Sequence, residues 1–408
     1  MKEWKTYTLE EICTGKGTYG IGASAVAYDS SKYTYLRITD INDDGTLNKG
    51  ELKSVDDEEA YKYILQKNDI VFARTGNSTG RSYFYDGTDG ELVYAGFLIK
   101  FSLDPSRVNP RIMKYYTHSQ DYYDWVKSFD TGGTRGNINA KTYGLMPIKL
   151  PPREVQDKIV EVLKSIDDKI ELNKRINDNL EQQAQTMYKS WFIDFEPFKD
   201  GKFVESEIGE IPTGWTVVKF GDLTEIPKKT LNPQRFPDTI FKHYSLPACD
   251  NGLIPETQTG KDIMSNKIIL QNNTTLFSKL NPRIKRIWFT CEVQANSICS
   301  TEFIPYRAKN ETESGYIFSI INSAAFYASV MGCVNGATGS HQRFHAEDTG
   351  DFLCAYNKEV VNEFSEHIDA ILKQMHDLRQ ENVKLALMRD TLLPKLMSGE
   401  LKINEIDC

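Results

Sequence analysis

The chain has 408 residues, 40% of them hydrophobic and 26% charged, and its formal net charge is −8. This length predicts two or three globular domains, and no apolar run approaches the 18 residues that would indicate a membrane span. The first residues, MKEWKTYTLEE, lack the apolar core of a signal peptide, so we expect a cytoplasmic protein. The acidic balance neither indicates nor excludes nucleic acid, because local patches decide such binding.

The first 150 residues predict a mostly-β domain. Four stretches rich in aromatic and β-branched residues read as strands: YTYLRITDI, NDIVFAR, RSYFYDG and ELVYAGFLIKF. A short helix is predicted near residues 110–127. Because no alternation of strands with helices is visible, the predicted class is α+β.

Residues 151–195 predict a long central helix. Its apolar residues recur at alternating steps of four and three, which is a heptad pattern. This hydrophobic seam consists of Ile159, Leu163, Ile166, Ile170, Asn173, Asn177, Leu180, Ala184, Met187 and Trp191. An amphipathic helix of this length exposes its seam unless it finds a partner, so we expect one.

Residues 196–355 predict a second mostly-β domain. Its first part, residues 196–214, carries Pro, Gly and acidic residues without periodicity and is predicted to be a linker. The stretches KIILQNNTTLFSKL, IKRIWFTCEV and SGYIFSII are predicted strands, and a short helix is expected near residues 318–332.

Residues 356–398 predict a second long helix, followed by a tail at 399–408. Its seam repeats the first one at the same steps, each member 205 positions later, as in Ile159 and Phe364. The seam consists of Phe364, Ile368, Ile371, Met375, Leu378, Asn382, Leu385, Arg389, Leu392 and Leu396. Pro394 is expected to kink this helix or to end it about one turn early.

The repeat extends beyond the helices and predicts the architecture. The strand DIVFAR at 69–74 falls on TTLFSK at 274–279 with the same offset of 205. We therefore predict two like domains joined by two long antiparallel helices that form a coiled coil, with an internal pseudo-two-fold repeat. Asn177 and Asn382 lie at equivalent seam positions. They are either buried, which would fix the register, or solvated at the edge of a loose seam.

The sequence GNSTG at 76–80 matches the G-x-S-x-G pattern of the nucleophile elbow in α/β-hydrolases. An elbow requires a helix after the turn, but the β-like stretch RSYFYDG follows Gly80. The second-half counterpart, residues 280–284, has neither the serine nor the glycines. We therefore expect Ser78 not to be a nucleophile and the chain not to be an enzyme.

Other catalytic and metal-binding signatures are also missing from the sequence. There is no P-loop, no H-E-x-x-H motif and no C-x-x-C pair. The seven cysteines are scattered along the chain: Cys13, Cys249, Cys291, Cys299, Cys333, Cys354 and Cys408. We expect reduced thiols and no metal site.

Four loops carry the residue types that contact nucleic acid. They are RTGNSTGR (74–81), TGGTRGNINAK (131–141), SKLNPRIKR (278–286) and NGATGSHQR (335–343). Glycines let backbone amides approach phosphates, Arg reads guanine, and Asn or Gln reads adenine. The predicted DNA-binding residues are Arg74, Thr75, Asn77, Ser78, Thr79, Arg81, Thr134, Arg135, Asn137, Asn139, Lys141, Lys279, Asn281, Arg283, Lys285, Arg286, Thr338, Ser340, His341, Gln342 and Arg343. The alternative is that these loops are solvated hairpin tips. Their recurrence at matching positions in both halves favours nucleic-acid contact.

The sequence resembles the specificity (S) subunit of type I restriction–modification systems. The resemblance rests on VFARTGNSTG, on the run from GGTRGNINAK through PIKLPPREVQDKIVEVLKSID to SWFIDF, on NGATGSHQRF and on LMRDTLLPKLMSGEL. It covers nearly the whole chain in the family's order. In the second half, the join at Cys354–Asn357 departs from the pattern, because it lacks the Leu150-Pro151-Pro152 of the first.

The resemblance implies a non-catalytic function. Each domain would be a target-recognition domain that reads one half of a bipartite double-stranded DNA site, with the helix pair as a spacer ruler. The helices would also bind two methyltransferase (M) subunits, and restriction (R) subunits would join the full complex. S-adenosylmethionine, ATP and Mg would be bound by these partners and not by this chain. A coiled-coil assembly protein with protein-binding globular ends is the alternative.

Overall fold

The computed structural model describes residues 4–129, 136–334 and 342–401. The chain forms two compact units. Unit 1 comprises Met1–Asp168 and Leu385–Cys408, and unit 2 comprises Lys169–Lys384. The division runs through both long helices, so each helix contributes to both hydrophobic cores.

The globular part of unit 1 is built on two four-stranded sheets. One has the strand order β2-β9-β6-β7 and the other β3-β5-β4-β8, in which β4 and β8 are parallel. A separate antiparallel pair, β1-β10, leads from the first strand to the long helix. The strands are β1 (Lys5–Thr8), β2 (Thr18–Tyr19), β3 (Ala25–Ala27), β4 (Tyr33–Leu36), β5 (Lys53–Val55), β6 (Asp69–Ala73), β7 (Ser82–Tyr85), β8 (Leu92–Tyr94), β9 (Leu98–Ser102) and β10 (Pro147–Leu150).

Short helices and the start of a long one cover the β2-β9-β6-β7 sheet. They are α1 (Ile112–Tyr116), α2 (Gln120–Lys127), α3 (Ala140–Gly144) and α4 (Arg153–Phe192). The predicted helix near 110–127 is thus confirmed, as two short pieces. Ser119 caps α2 and Asn139 caps α3, each accepting a hydrogen bond from a backbone N–H of the first turn.

The globular part of unit 2 repeats this plan. Its sheets have the orders β14-β22-β19-β20 and β15-β18-β21-β16-β17, with β16 and β21 parallel, and β13 pairs with β23. The strands are β11 (Phe203–Ser206), β12 (Gly209–Pro212), β13 (Thr216–Lys219), β14 (Thr224–Glu225), β15 (Thr230–Leu231), β16 (Ile240–Tyr244), β17 (Glu256–Thr259), β18 (Lys267–Ile269), β19 (Thr274–Ser278), β20 (Ile287–Thr290), β21 (Ser297–Ser300), β22 (Phe303–Ala308) and β23 (Leu353–Tyr356).

The offset of 205 residues seen in the sequence holds for the central strands. Strands β6, β7, β8 and β9 begin at residues 69, 82, 92 and 98, and β19, β20, β21 and β22 begin at 274, 287, 297 and 303. The predicted α+β class with two β-rich domains in an internal repeat is therefore confirmed at the level of strand order and spacing.

Two sequence predictions for unit 2 were wrong. The stretch SGYIFSII forms a helix, not a strand, because a short apolar run with no polar face fits a fully buried helix equally well. The predicted linker at 196–214 contains the β11–β12 hairpin, and its Phe203 and Ile211 pack into the core of unit 2. The helices of unit 2 are α5 (Phe220–Leu223), α6 (Leu246–Asp250), α7 (Ser314–Asn322), α8 (Ala324–Gly332) and α9 (Lys358–Ser398), with α4 continuing from unit 1.

Within unit 2 the two long helices run antiparallel, as predicted. The amide of Asn382 donates to the carbonyl of Ile170 (3.3 Å), whereas the rings of Trp191 and Phe364 lie 5.7 Å apart. The amide of Asn173 donates to Oδ1 of Asn382 (2.9 Å). The polar pair that fixes the register is therefore Asn173–Asn382. Of the two alternatives for the equivalent residues Asn177 and Asn382, the structure favours burial, since Asn177 is buried and Asn382 is half-buried.

The first seam is largely buried, and the second is buried in part. Ile159, Leu163, Ile166, Leu180, Ala184, Phe364, Ile368, Met375 and Leu396 are among the buried residues. Of the two effects expected of Pro394, a kink or an early end, the early end does not occur, because helix α9 continues through Pro394 to Ser398. Leu393, Leu396 and Met397 are buried in the core of unit 1, which offsets the cost of about 3 kcal/mol for a helical proline. At its start, α9 is capped by Asn357, which accepts from the N–H of Val360.

Candidate nucleic-acid interface

The predicted loop at 74–81 is the turn of a β-hairpin. It joins β6 to the antiparallel strand β7 through a short 3-10 turn at Gly76–Ser78. The N–H of Ala73 donates to the carbonyl of Arg81 (2.8 Å) and closes the turn. Gly80 has φ +88°, and a Cβ there would lie 2.6 Å from Cγ1 of Val126, so both conformation and space require glycine.

Ser78 does not occupy a nucleophile elbow. The elbow places its serine between a strand and a helix, whereas here a strand follows the turn. Ser78 is only 7% exposed, and its carbonyl accepts from the N–H of Arg81 (2.9 Å). The serine therefore lies inside the hairpin turn.

Each unit brings together its two predicted loops. In unit 1 the carbonyl of Arg74 accepts from the N–H of Ile138 (3.0 Å), and the hydroxyl of Thr79 donates to the carbonyl of Gly136 (3.2 Å). Residues 136–141, which include exposed Asn137, Asn139 and Lys141, thus lie beside the β6–β7 turn. Asn139 also caps α3, so its side-chain oxygen is already engaged.

Unit 2 repeats this juxtaposition with different side chains. The N–H of Asn281 donates to the carbonyl of Gln342 (2.8 Å), and Leu280 forms a β-bridge with Arg343. Asn281 has φ +49°, a conformation that asparagine tolerates better than most residues. The turn after β19 and the segment starting at Gln342 therefore form one surface, as their counterparts do in unit 1.

One arginine of each hairpin is held by a carboxylate. Arg81 pairs with Asp43 (2.7 Å) and also donates to the carbonyl of Ile41. Its counterpart Arg286 makes two hydrogen bonds to Asp250, at 2.6 and 2.9 Å. These hydrogen bonds to Asp250 raise the pKa of Arg286 above its usual value. Arg81 ties its hairpin to a preceding loop and Arg286 ties its hairpin to the last residue of α6, so a DNA contact would have to compete with these bonds.

The remaining predicted cations differ in their surroundings. Arg74 lies under two aromatic rings and is half-buried, and Lys279 is half-buried at the equivalent place. Arg283 is exposed at the tip of its turn. Burial lowers the pKa of Lys285, whose ammonium donates to the carbonyl of Asn322 (2.7 Å). Arg343 is paired with both carboxylate oxygens of Glu302 at 3.1 Å.

Sequence reasoning missed the two aromatic residues beside Arg74. Tyr19 and Phe97 are 41% and 55% exposed, and their ring centroids lie 5.1 and 5.8 Å from the guanidinium carbon of Arg74. Phe97 follows Gly96 directly in the turn between β8 and β9, which is an unusual place for a large apolar residue. The position of Phe97 in a turn could have marked it as a functional residue. Nothing in the sequence, however, connected it to Arg74.

Five of the predicted DNA-binding residues lie outside the described residues. They are Thr134, Arg135, Thr338, Ser340 and His341. Thr75 and Asn77 lie in the β6–β7 turn, where Thr75 is half-buried and Asn77 is exposed. The assignment of all these residues to DNA contact remains a prediction.

Over the ranges 4–129, 136–334 and 342–401, the structure contains no group of three or more His, Cys, Asp or Glu residues arranged to hold a metal ion. In the same ranges no helix is both long enough and apolar enough to cross a membrane. Six of the cysteines are free thiols there: Cys13, Cys249, Cys291, Cys299, Cys333 and Cys354.

Comparison with known proteins shows which family the chain resembles. Residues 1–182 match the family model described as the type I restriction modification DNA specificity domain. The type I restriction enzyme MjaIX specificity subunit of Methanocaldococcus jannaschii is 24% identical over 304 residues, which cover 72% of this chain and 69% of the relative. The chain is thus similar to the specificity subunits of type I restriction–modification systems, most directly over residues 1–182.

Two further similarities point to the same family. The HindI specificity subunit of Haemophilus influenzae is 29% identical over 209 residues, and the match spans 49% of this chain and 43% of that relative. The crystal structure of a type I restriction–modification S subunit from M. genitalium has a TM-score of 0.54 at 14% identity and covers 97% of this chain and 96% of that one. The similarity to the M. genitalium structure shows a shared fold. The resemblance stated from the sequence is thus confirmed.

Proposed function

We propose that this specificity subunit reads a bipartite double-stranded DNA target, one half-site per unit, within a type I restriction–modification complex. The observation that carries the proposal is the loop pair found in each unit. In both units a β-hairpin turn lies against a second loop, through the Arg74–Ile138 and Asn281–Gln342 hydrogen bonds. Two such surfaces in one chain suit two half-sites.

The chemistry of these surfaces suits DNA. Arg74 and Arg283 offer planar guanidinium groups, and Asn77 and Asn137 offer exposed amides. The arginines Arg81, Arg286 and Arg343 are already paired with carboxylates, so we assign them to holding the loops in place. This division leaves a small set of candidates for base contact in each unit, which is usual for DNA-reading proteins.

The helix pair is proposed to act as a spacer ruler and as a scaffold for two methyltransferase subunits. Helices α4 and α9 have 40 and 41 residues, which correspond to roughly 60 Å each. The hydrogen bond between Asn173 and Asn382 supports a single register for the pair. We further propose that methylation and DNA cleavage reside in partner M and R subunits in the cytoplasm, which supply S-adenosylmethionine, ATP and Mg.

Methylome mapping tests DNA recognition directly. A host that expresses the chain together with its methyltransferase subunit is expected to gain methylation at one bipartite motif. The same host with the methyltransferase subunit alone is the control and should gain none. If the two proteins form a complex but no new motif appears, the proposal is wrong. An assembly protein with protein-binding ends would then explain the fold better.

Insertion of one heptad into each long helix tests the ruler. Insertions beside Asn173 and Asn382 preserve both seams and lengthen the pair by about 10 Å, since seven residues rise about 1.5 Å each. We expect the same two half-sequences separated by a gap about three base pairs longer, at roughly 3.4 Å per base pair. An insertion in α4 alone is the matched control and should abolish recognition by breaking the register. An unchanged gap after the double insertion would exclude the ruler.

A further inference from the structure

The backbone of Arg74 is fixed on both sides at the end of β6. Its N–H donates to the carbonyl of Phe97 (3.1 Å), and its carbonyl accepts from the N–H of Ile138 (3.0 Å). The residue before it, Ala73, accepts from the hydroxyl of buried Tyr143 (2.9 Å). The Cα position of Arg74 is therefore determined by bonds to two other segments of unit 1.

The side chain of Arg74 is oriented by Tyr19 and Phe97. Its guanidinium carbon lies 5.1 Å from the Tyr19 ring centroid and 5.8 Å from that of Phe97, within the range of cation–π attraction. The Tyr19 hydroxyl in turn accepts from the N–H of Ala140 (3.1 Å), so that ring is held at its far end. Within the described part of the chain, Arg74 is thus positioned by contacts to two aromatic rings and not by a hydrogen-bond acceptor.

The two rings are held in place by a close contact between their segments. The N–H of Gly96 donates to the carbonyl of Ile21 (2.7 Å), and the N–H of Gly20 donates to the carbonyl of Leu98. A Cβ on Gly20 would lie 2.2 Å from the carbonyl oxygen of Tyr94, a distance that real structures do not allow. Glycine at position 20 therefore allows the two aromatic residues to come close to one arginine.

The guanidinium of Arg74 lacks a protein partner among the described residues. No carboxylate or other acceptor binds it there, and its Nε is buried with no hydrogen bond. Other arginines of unit 1 are paired: Arg81 binds Asp43, and Arg37 binds Asp40. An arginine that is oriented but unpaired, beside two rings that are 41% and 55% exposed, is unusual for a purely structural residue.

We propose that Arg74, clamped between Tyr19 and Phe97, reads one guanine in the half-site contacted by unit 1. Its guanidinium edge would donate two hydrogen bonds to O6 and N7 in the major groove. Tyr19 and Phe97 act as positioning residues, because they reduce the rotamer freedom that the arginine would otherwise lose on binding. A phosphate contact would not require this orientation. The inference rests on the proposed function and adds a base identity to it.

The test uses the full chain in complex with its methyltransferase subunit. Methylation of a DNA library randomised across both half-sites gives the preference at each position. Arg74→Lys keeps the charge but loses the planar fork, so guanine preference at one position of one half-site should fall by roughly 5- to 150-fold. Phe97→Ala should lower the preference at the same position, and Phe97→Tyr should restore it, which a general loss of stability would not do.

Lys67→Ala is the matched control, since Lys67 is an exposed cation of unit 1 outside the predicted loops. Lys67→Ala should leave the base preference at every position of both half-sites unchanged. The proposal is overturned if neither half-site has a guanine whose preference depends on Arg74. It is also overturned if Arg74→Lys lowers methylation of all sequences equally, as loss of a phosphate contact would. If the wild-type complex methylates without any sequence preference, the proposed function fails as well.

Discussion

The hairpins β6–β7 and β19–β20 share a common frame, by which we mean the buried phenylalanine and the aspartate-bound arginine of each hairpin. They differ in the surface they present. Phe72 and Phe277 are both fully buried under the turn, and Arg81 and Arg286 both bind an aspartate of a preceding segment. The frame thus uses the same residue types at the same places in both units. It defines where a variable side chain can be displayed.

The difference lies in the cation that follows each central strand. The N–H of Arg74 donates to the carbonyl of Phe97, and the N–H of Lys279 donates in the same way to that of Glu302 (2.9 Å). Phe97 of unit 1 and Glu302 of unit 2 therefore occupy equivalent positions. The ring of Phe97 lies beside Arg74, whereas the carboxylate of Glu302 binds Arg343. The proposed reading of two different half-sequences would require this kind of difference on a common frame.

The shared frame predicts that Phe72→Ala and Phe277→Ala have similar and large effects. Each removes a fully buried ring that packs on other aromatic rings, such as Tyr143 at 4.8 Å from Phe72 and Phe344 at 5.2 Å from Phe277. We expect a loss of about 3–5 kcal/mol in the free energy of unfolding of the affected unit. Chemical denaturation of the full chain measures this.

Tyr28→Ala is the control for aromatic truncation, because Tyr28 is 53% exposed in unit 1. Its effect should stay within about 0.5 kcal/mol. The contrary result is that one phenylalanine substitution lowers the free energy of unfolding by less than about 1 kcal/mol while the other lowers it by about 3–5 kcal/mol. That result would show that the two buried rings do not contribute equally to stability, and the shared frame would be contradicted.

Two buried carboxylates on the long helices predict opposite pH dependence in the two units. In unit 1, burial of Asp167 is outweighed by Lys114 (2.8 Å) and Arg389 (3.2 Å), which lower the pKa of its carboxyl. In unit 2, burial raises the pKa of Asp369 to about 6, against a smaller lowering by the Ser314 hydroxyl. The folded protein therefore stabilises the anion of Asp167 and destabilises that of Asp369.

The substitutions Asp167→Asn and Asp369→Asn should therefore change stability in opposite directions. Asp167→Asn should cost about 2 kcal/mol above pH 4, and this cost should vanish as the pH falls through the lowered pKa of the wild-type carboxyl. Asp369→Asn should stabilise by about 1–2 kcal/mol above pH 6, with no gain below pH 4, where the wild-type carboxyl is protonated. Denaturation from pH 3 to 8 measures both. Equal signs for the two variants would contradict the contrast.

The sequence predicted the repeat and its central strands, such as β6 and β19, but not which residues meet. The spacing of 205 and the two seams follow from local patterns, which persist whatever the tertiary contacts. The sequence did not predict that Asn382 meets Asn173, because the register between two helices depends on both surfaces and on the loops between them. The meeting of Tyr19, Arg74 and Phe97 was missed for the same reason, since it depends on the pairing of β2 with β9 and of β6 with β9.

The ion pairs of the frame should differ in strength despite their equivalent positions. Arg286 is 14% exposed and binds Asp250 through two hydrogen bonds, whereas the partner of Arg81, Asp43, is 87% exposed. We expect Arg286→Ala to cost about 1–2 kcal/mol and Arg81→Ala less than about 1 kcal/mol. Double-mutant cycles with Asp250→Ala and Asp43→Ala isolate each pair. A stronger coupling for Arg81 than for Arg286 would contradict this ranking.

The smallest expected effect is that of Glu302→Gln on DNA binding. The substitution removes a negative charge from the loop surface of unit 2 and weakens the hold on Arg343, which becomes available to a phosphate. Affinity of the complex for its target should rise about two- to threefold at low salt, and the dependence on salt should steepen by about one counterion. Fluorescence anisotropy across a salt series measures both quantities. The reciprocal change, Phe97→Glu, should weaken binding through the half-site of unit 1. If Glu302→Gln leaves affinity and salt dependence unchanged, the loop pair of unit 2 lies away from the DNA backbone, and only unit 1 uses the shared frame as proposed.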